Sequence, residues 1–411
     1  MKNSVKKTMI IVVMLILITS IVACTEKPAT SSTTEPIEKV KITIAIEATG
    51  DIPEEFQKQI ERFNAFSEIA EASILTYSGA DAYETAITGQ IAGQNAPDVI
   101  WLDGGKKIQE YVANGVIVPL DDYLGDILSG FESSLLEAFK VDGKTYGVPK
   151  DYNTSVLFYQ KDMFDAAGIS VPKTMNEFTA DAKVLTKGDV FGFGCDPKLN
   201  YLYPFMATYG ADFIGSDGSI INEKLQSDAH REALTMLKDL FDNNYATSPF
   251  LDNAGWDGEL VGNGKVAMLY GGSWITGVIQ DTSKTGVAPL PIVNGAYSML
   301  YTAGWSITEQ SPNKEAAAEL IAFISSDDEM VAGNISGLVG LPPKESAMEK
   351  LIEAKSDDPF LPVYNEVVKS GVPFGLIDSK FVDAYNKALE DMLYNQGSVD
   401  DAITAMVSSA E

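Results

Sequence analysis

Lys144–Phe164 reads KTYGVPKDYNTSVLFYQKDMF, and its interpretation decides the fold. Tyr146 and Val148 alternate with polar neighbours before Pro149-Lys150-Asp151, and Val156-Leu157-Phe158-Tyr159 form an apolar run after it. Proline fixes its own φ and biases the preceding residue toward extended geometry, so the chain stays stretched through the break. Two strands flanking polar Asp151, Tyr152 and Asn153 make either a strand–turn–strand inside one domain or a crossing between two. The rest of the chain has to choose.

Upstream, Val40, Ile42, Ile44 and Ile46 alternate with Lys41, Thr43 and Ala45, which predicts a strand ending at Glu47. Pro53 opens a helix carrying Phe56, Ile60 and Phe63 at spacings of three and four, with Phe66 beyond them. A strand is expected at Ala72–Tyr77, a helix at Ala80–Ala92 and a strand at Val99–Leu102. Strand alternating with helix implies an α/β unit with a mainly parallel sheet. After Lys161 the same grammar restarts. Helices are expected at Met175–Thr186 and Asp228–Asn243, and a strand at Lys265–Leu269 before Gly271-Gly272. Further strands fall at Val287–Leu290 and Trp305–Ile307. Three more helices fall at Lys314–Ser325, from about Ser379 to Tyr394, and at Val399–Ser408.

The 411 residues exceed the roughly 250–300 at which a single core stops growing, so two lobes are expected. A formal charge of −28 leaves no basic surplus to neutralise phosphates, which argues against nucleic acid as a partner. Lys2, Lys6 and Lys7 precede the uninterrupted apolar run MIIVVMLILI at Met9–Ile18, the pattern of an export signal. Removing residues 1–23 would take three lysines and no acids from that charge of −28, giving −31. No later run is long enough to span a bilayer. Cys24 and Cys195 are the only thiols, so no cysteine/histidine metal site can be assembled, and neither metal nor cofactor is expected. Residues 24–39 lack hydrophobic periodicity and read as a flexible tether.

Ile21-Val22-Ala23-Cys24 resembles the lipobox of bacterial lipoproteins. That implies cleavage before Cys24, a lipid on its thiol and amino group, and a place on the outer face of the membrane of a Gram-positive bacterium. Two acyl chains give stable anchoring where one does not. Seven stretches in order resemble the extracellular solute-binding proteins of ABC importers, in the maltose and oligosaccharide family. They are Asn95–Val99, Gly115–Tyr123 (GVIVPLDDY), Asp142–Asn153 (DGKTYGVPKDYN), Phe158–Phe164, Gly264–Trp274 (GKVAMLYGGSW), Ala303-Gly304-Trp305 and Ser311–Ser325. The resemblance implies a two-lobed periplasmic-binding-protein-like α/β fold of type II, three crossings, and a ligand cleft that closes on binding. It places the first lobe at 40–149 plus 302–340 and the second at 150–301 plus 341–411. The later crossings would fall near Met299–Thr302 and Gly337–Leu341. A monomer that delivers a sugar or oligosaccharide to an ABC permease is the expected function.

None of the four tryptophans sits mid-stripe on a helix: Trp101 precedes Asp103-Gly104-Gly105, Trp256 lies in DNAGWDGEL, Trp274 follows Gly272-Ser273, and Trp305 follows Gly304. Ligands of open α/β sheets bind beyond the carboxyl ends of strands, where such loops lie. An indole covers the C–H face of a pyranose, and nearby carboxylates and amides serve the hydroxyls. The candidate ligand residues are therefore Glu47, Trp101, Asp103, Asp151, Tyr152, Asn153, Trp256, Trp274, Gly304 and Trp305. Core packing of the indoles, turn formation by Asp103 and hinge hydrogen bonding by Asp151 and Asn153 compete with that reading. Glu47 departs from the tryptophan common in the family at that position. Asp98 reads as a strand-edge cap and His230 as solvent-facing. Three other functions stay open. A polyamine would suit acids and aromatics on the same scaffold. A glycoside-acting enzyme needs two carboxylates, but no acid and nucleophile stand out and no phosphate loop or nucleophile elbow is present. A lipoprotein that senses rather than transports is the third.

Overall fold

The computed structural model describes residues 38–47, 52–215, 218–279, 281–337 and 340–410. The expected signal segment, Cys24, most of the tether and the turn at Ala48–Gly50 lie outside the described residues. Among the described residues no helix is long and apolar enough to cross a membrane.

The strands, in chain order, are β1 (Val40–Glu47), β2 (Ala70–Tyr77), β3 (Val99–Asp103), β4 (Lys140–Val141), β5 (Lys144–Thr145) and β6 (Val148–Gln160). Then come β7 (Phe191–Gly194), β8 (Ala246–Thr247), β9 (Val266–Gly272), β10 (Thr285–Ala288), β11 (Ser298–Ile307) and β12 (Gly371–Pro373). One sheet runs in the order β2-β1-β3-β11-β6-β9-β7-β8, with β10 beside β6 and β12 beside β11. β1 is parallel to both β2 and β3, and β7 to both β8 and β9. Within the sheet, among the described residues, the two parallel groups are joined through the long antiparallel pair β6 and β11.

Alternation builds the first group. Ile42, Ile44 and Ile46 point to one face, where Phe56, Ile60 and Phe63 of helix Glu54–Phe66 cover them. Each such side chain, fully buried, contributes about 2 kcal/mol. Phe66 falls outside that stripe; it is 63% exposed and leans on Phe323 at 5.2 Å. Asp98 staples the group as a strand-edge cap: its Oδ2 accepts from the Thr43 N–H at 2.8 Å and its Oδ1 from Ser311 Oγ at 2.6 Å. The second group packs under helices Met175–Leu185, Leu199–Tyr209, Asp228–Asp242 and Ser379–Tyr394.

Lys144–Phe164 differs from expectation. There is no break at Pro149–Asp151: a single strand runs unbroken from Val148 to Gln160. Proline has no N–H to give a central ladder and is tolerated at bulges. Here Pro149 faces Gly304 and Asp151 faces Ala303, so Lys150 is the extra residue of a bulge that accommodates it. β11 is likewise longer than Trp305–Ile307, beginning at Ser298, because its first half pairs with β6 and β12.

His230 is also corrected. It is fully buried, with Nδ1 2.7 Å from the Leu225 carbonyl and Nε2 2.8 Å from the Tyr385 hydroxyl. A carbonyl only accepts, so Nδ1 carries the proton and Nε2 accepts from Tyr385. Burial is the main cause pushing its pKa down to about 4.

Candidate functional site

The crossing strand carries three expected contacts, and local bonds sort them. The Asp151 carboxylate accepts from the Gly340 N–H at 3.0 Å and from Lys150 Nζ at 2.7 Å, tying β6 to the segment before Leu341. Asn153 Oδ1 accepts from Ser273 Oγ at 3.0 Å, beside Trp274. Tyr152 is a correction. On the pleat it points the other way, is 1% exposed, and packs with Val156, Leu341 and Phe360, so it meets core rather than ligand.

Trp101 and Trp305 face each other across β3 and β11. β1 pairs with β3 only at Val99 and Ile100, which leaves the Trp101 backbone without a strand partner on that side. Tyr83 supplies one: its hydroxyl accepts from the Trp101 N–H at 2.8 Å and donates to the Trp101 carbonyl at 2.7 Å. Its ring meets the Trp101 indole edge-on at 5.6 Å. Trp305 is 4% exposed and stacked on Phe56 at 5.8 Å, so packing takes most of its surface even though it also borders a pocket. Trp101, Trp305, Glu47, Lys150 and Glu329 border a pocket of ≈ 180 Å³ against helix Glu54–Phe66. Gly304, like Tyr152, is a correction. A Cβ there would lie 2.5 Å from the Val148 carbonyl and 2.6 Å from the Phe139 ring, so the missing side chain serves close packing.

A larger pocket of ≈ 380 Å³ lies between the loop after β3 and the segment after β12, bordered by Asp103, Gly104, Lys107, Tyr301, Thr302 and Phe374. Burial raises the Asp103 carboxyl above its ordinary value, helped by the charges of Glu84, Glu47 and Asp151 and opposed by Lys107. An aromatic run continues from it. Phe374 is 5.9 Å from Tyr301, which meets Trp274 edge-on at 5.1 Å, and Trp274 lies 6.4 Å from Tyr201. Trp274 is 37% exposed and its ring lies over Gly272, where a Cβ would come within 2.2 Å of it. Trp256 stands apart: its ring folds over Gly258, it packs half-buried against the cluster that holds Leu260 and Val261, and it borders neither of these pockets.

Of the sequence candidates, then, Asp103, Asn153 and Trp274 are brought toward one cleft, and Glu47 and Trp101 toward the smaller pocket. Sequence reasoning missed Tyr201, Tyr301 and Phe374. Phe374 carried the signal used for the tryptophans, an aromatic between Pro373 and Gly375 after a strand.

Two strand–helix units joined by crossing strands, with aromatic and carboxylate groups on the walls between, define a two-lobed α/β binding protein of the periplasmic type. The chain belongs to the family described as bacterial extracellular solute-binding protein, whose profile matches residues 58–361. Binding proteins of Brucella abortus and Brucella suis are 29% identical over 253 residues, 58% of this chain and 60% of theirs. The galactooligosaccharide-binding protein of Bacillus subtilis is 25% identical over 242 residues, 56% of each chain. The chain thus spans about 60% of the length of the curated relatives it matches. An ABC substrate-binding protein of Listeria monocytogenes, solved with cycloalternan, superposes with a TM-score of 0.73 at 24% identity, covering 91% of this chain and 98% of that one. The family and these neighbours are binding proteins, not enzymes.

Proposed function

We propose that this protein captures a sugar or oligosaccharide outside the cell and delivers it to an ABC permease by closing its cleft. The observation that carries the reading is the aromatic run Trp274–Tyr301–Phe374 leading into the Asp103 pocket. Indole and phenol faces remove the C–H faces of pyranoses from water at ~25 cal/mol/Å². Asp103 and Asn153 offer acceptors and an amide to the hydroxyls. Relatives named for galactooligosaccharide, arabinooligosaccharide and maltodextrin binding support the same ligand class.

In this reading the first lobe is 40–149 plus 302–340 and the second 150–301 plus 341–411, with β6, β11 and the segment before Leu341 as the crossings. Two separate apolar clusters, one around Ile42, Phe63 and Leu320 and one around Phe193, Leu237 and Tyr385, support the division. The Ile21–Cys24 stretch supports a diacyl anchor on the outer membrane face, with the permease subunits as partners. Binding can shift an open–closed equilibrium only through differential affinity for the closed state. Tryptophan fluorescence and calorimetric titration against malto-, galacto- and arabino-oligosaccharides test the proposal. Saturable binding of at least one of them is expected, and silence toward every saccharide would refute it.

A further inference from the structure

Adjacent residues of a flat strand point to opposite faces, so a lysine and an aspartate side by side on one cannot meet. Lys150 and Asp151 of β6 do meet: Nζ lies 2.7 Å from Oδ2, and the side chains are only 20% and 12% exposed. The bulge makes this possible. A bulge re-aims the side chains of its own strand, and β6 has one here because Pro149 faces Gly304 while Asp151 faces Ala303. Pro149-Lys150-Asp151 thus builds a largely buried ion pair into the middle of a crossing strand. Solvent and salt screen such a pair less than an exposed one.

The pair reaches all three crossings. The Asp151 carbonyl accepts from Thr302 Oγ1 of β11 at 2.8 Å. Its Oδ2 accepts from the Gly340 N–H at 3.0 Å, and the Gly340 carbonyl accepts from Asn334 Nδ2 at 2.8 Å. These connections are not equally firm. β6 and β11 share a ladder from Val148 to Thr154, whose bonds resist displacement together. Among the described residues, the third segment is hydrogen-bonded to β6 by the single bridge Tyr152–Leu341 and by the Asp151 side chain. The backbones there are in close contact: a Cβ on Gly340 would lie 2.6 Å from the Tyr152 carbonyl oxygen. Rotation of one lobe against the other is therefore taken up beside Asp151, where the fewest bonds oppose it. In the structure the proposed lobes touch, with Lys106 Nζ 3.2 Å from Asp378 Oδ2, and every Asp151 bond is made.

We propose that Asp151, held by Lys150, is a positioning residue that ties the three crossings in the form where the lobes touch, and so sets the affinity for every ligand without contacting any. This rests on the cleft being the binding site. Apparent affinity scales with the fraction of protein in the competent form, so a change in that population multiplies all dissociation constants alike. Loss of a ligand contact instead weakens each ligand according to its use of that contact, and so alters discrimination.

The test measures calorimetric affinities of the full chain for two chain lengths of each malto-, galacto- or arabino-oligosaccharide that the wild type binds. Wild type, Asp151→Asn, Lys150→Met and Lys150→Arg are compared. Asp151→Asn is expected to weaken every ligand by one common factor of about threefold or more. Lys150→Met should act in the same way. Lys150→Arg can still pair with the carboxylate and should return affinity to within about twofold of wild type. Factors that differ between ligands by more than about threefold make Asp151 a ligand contact and overturn the proposal. Undiminished or tighter binding in Asp151→Asn or Lys150→Met overturns it too, as does a Lys150→Arg chain as weak as Lys150→Met. Each of these outcomes leaves the sugar reading standing, whereas silence of the wild type toward every saccharide overturns both. If Asp151→Asn fails to fold, the two Lys150 variants decide by the same criteria.

Discussion

At the residue scale, Trp274 and His230 show how burial separates a side chain that serves ligand from one that serves the core. Trp274 is 37% exposed and rests on a glycine, so removing its ring deletes cleft surface and little packing. Trp274→Ala should weaken saccharide binding about tenfold or more while the unliganded melting temperature moves by no more than about 2 °C. A large loss of apo stability would instead make Trp274 a core residue. His230 is the converse. Its pKa falls from an ordinary 6.5 to about 4 because burial penalises the imidazolium, so the unfolded chain binds the proton more readily than the native one. Its contribution, of order 3 kcal/mol, is complete above pH 6.5 and is lost as pH falls toward 4. Asp257, raised from 3.8 to about 6, tilts the curve the other way over nearly the same range. Urea unfolding of wild type and His230→Gln at about pH 5 and about pH 7 isolates the histidine, because the Asp257 slope is common to both. The stability gap should be wider at the higher pH, and an equal gap would mean that the imidazole is not held neutral.

At the element scale, the antiparallel pair β6 and β11 holds the molecule together, and its weak point is the bulge at Lys150. Gly304 stands opposite Pro149 there, and any side chain would strike the Val148 carbonyl and the Phe139 ring. Gly304→Ala should therefore cost about 1–3 kcal/mol in denaturant unfolding. A neutral outcome would show that the bulge relaxes freely. The same pair explains what could be read in advance. Helices with one covered face announce themselves, and Ala80–Ala92 and Ser379–Tyr394 match expectation residue for residue. Amphipathic periodicity is a local property. The crossing strand is covered on both sides, so alternation does not tell its faces apart. Hence Tyr152 and Asn153 looked equivalent in sequence, yet one is core and the other bonds Ser273 beside Trp274. Gly304 misled for the same reason: a glycine next to an indole marks a loop or a tight sheet contact, and only the strand partner decides. Tyr301 was invisible because its importance comes from Trp274 and Phe374, distant in sequence and adjacent only after folding.

At the scale of the whole molecule, the segments after β3 and β12 approach so closely that no side chain fits between them. A Cβ on Gly375 would lie 2.1 Å from the Gly104 carbonyl oxygen. Lys106 Nζ meets Asp378 Oδ2 at 3.2 Å nearby and holds that carboxyl below its ordinary range. Both partners are well exposed, so the ion pair alone contributes little, and the backbone approach is the more exacting feature. In the proposed division Gly104 belongs to the first lobe and Gly375 to the second, which makes their contact a measure of closure. The backbone of Gly375 is outside the left-handed region, so alanine is tolerated locally and acts only through the clash. Gly375→Ala should keep these segments apart and lower the population of the closed form. Apparent affinity falls by the same factor as that population, because ligand must then supply the missing closure energy. Small-angle scattering with and without a binding saccharide reads the first effect, and calorimetry reads the second. The variant is expected to retain its unliganded radius at a ligand concentration that compacts the wild type, and to bind severalfold more weakly. Normal compaction with undiminished affinity would show that closure brings other surfaces together, and that the Gly104–Gly375 contact is fixed packing independent of ligand.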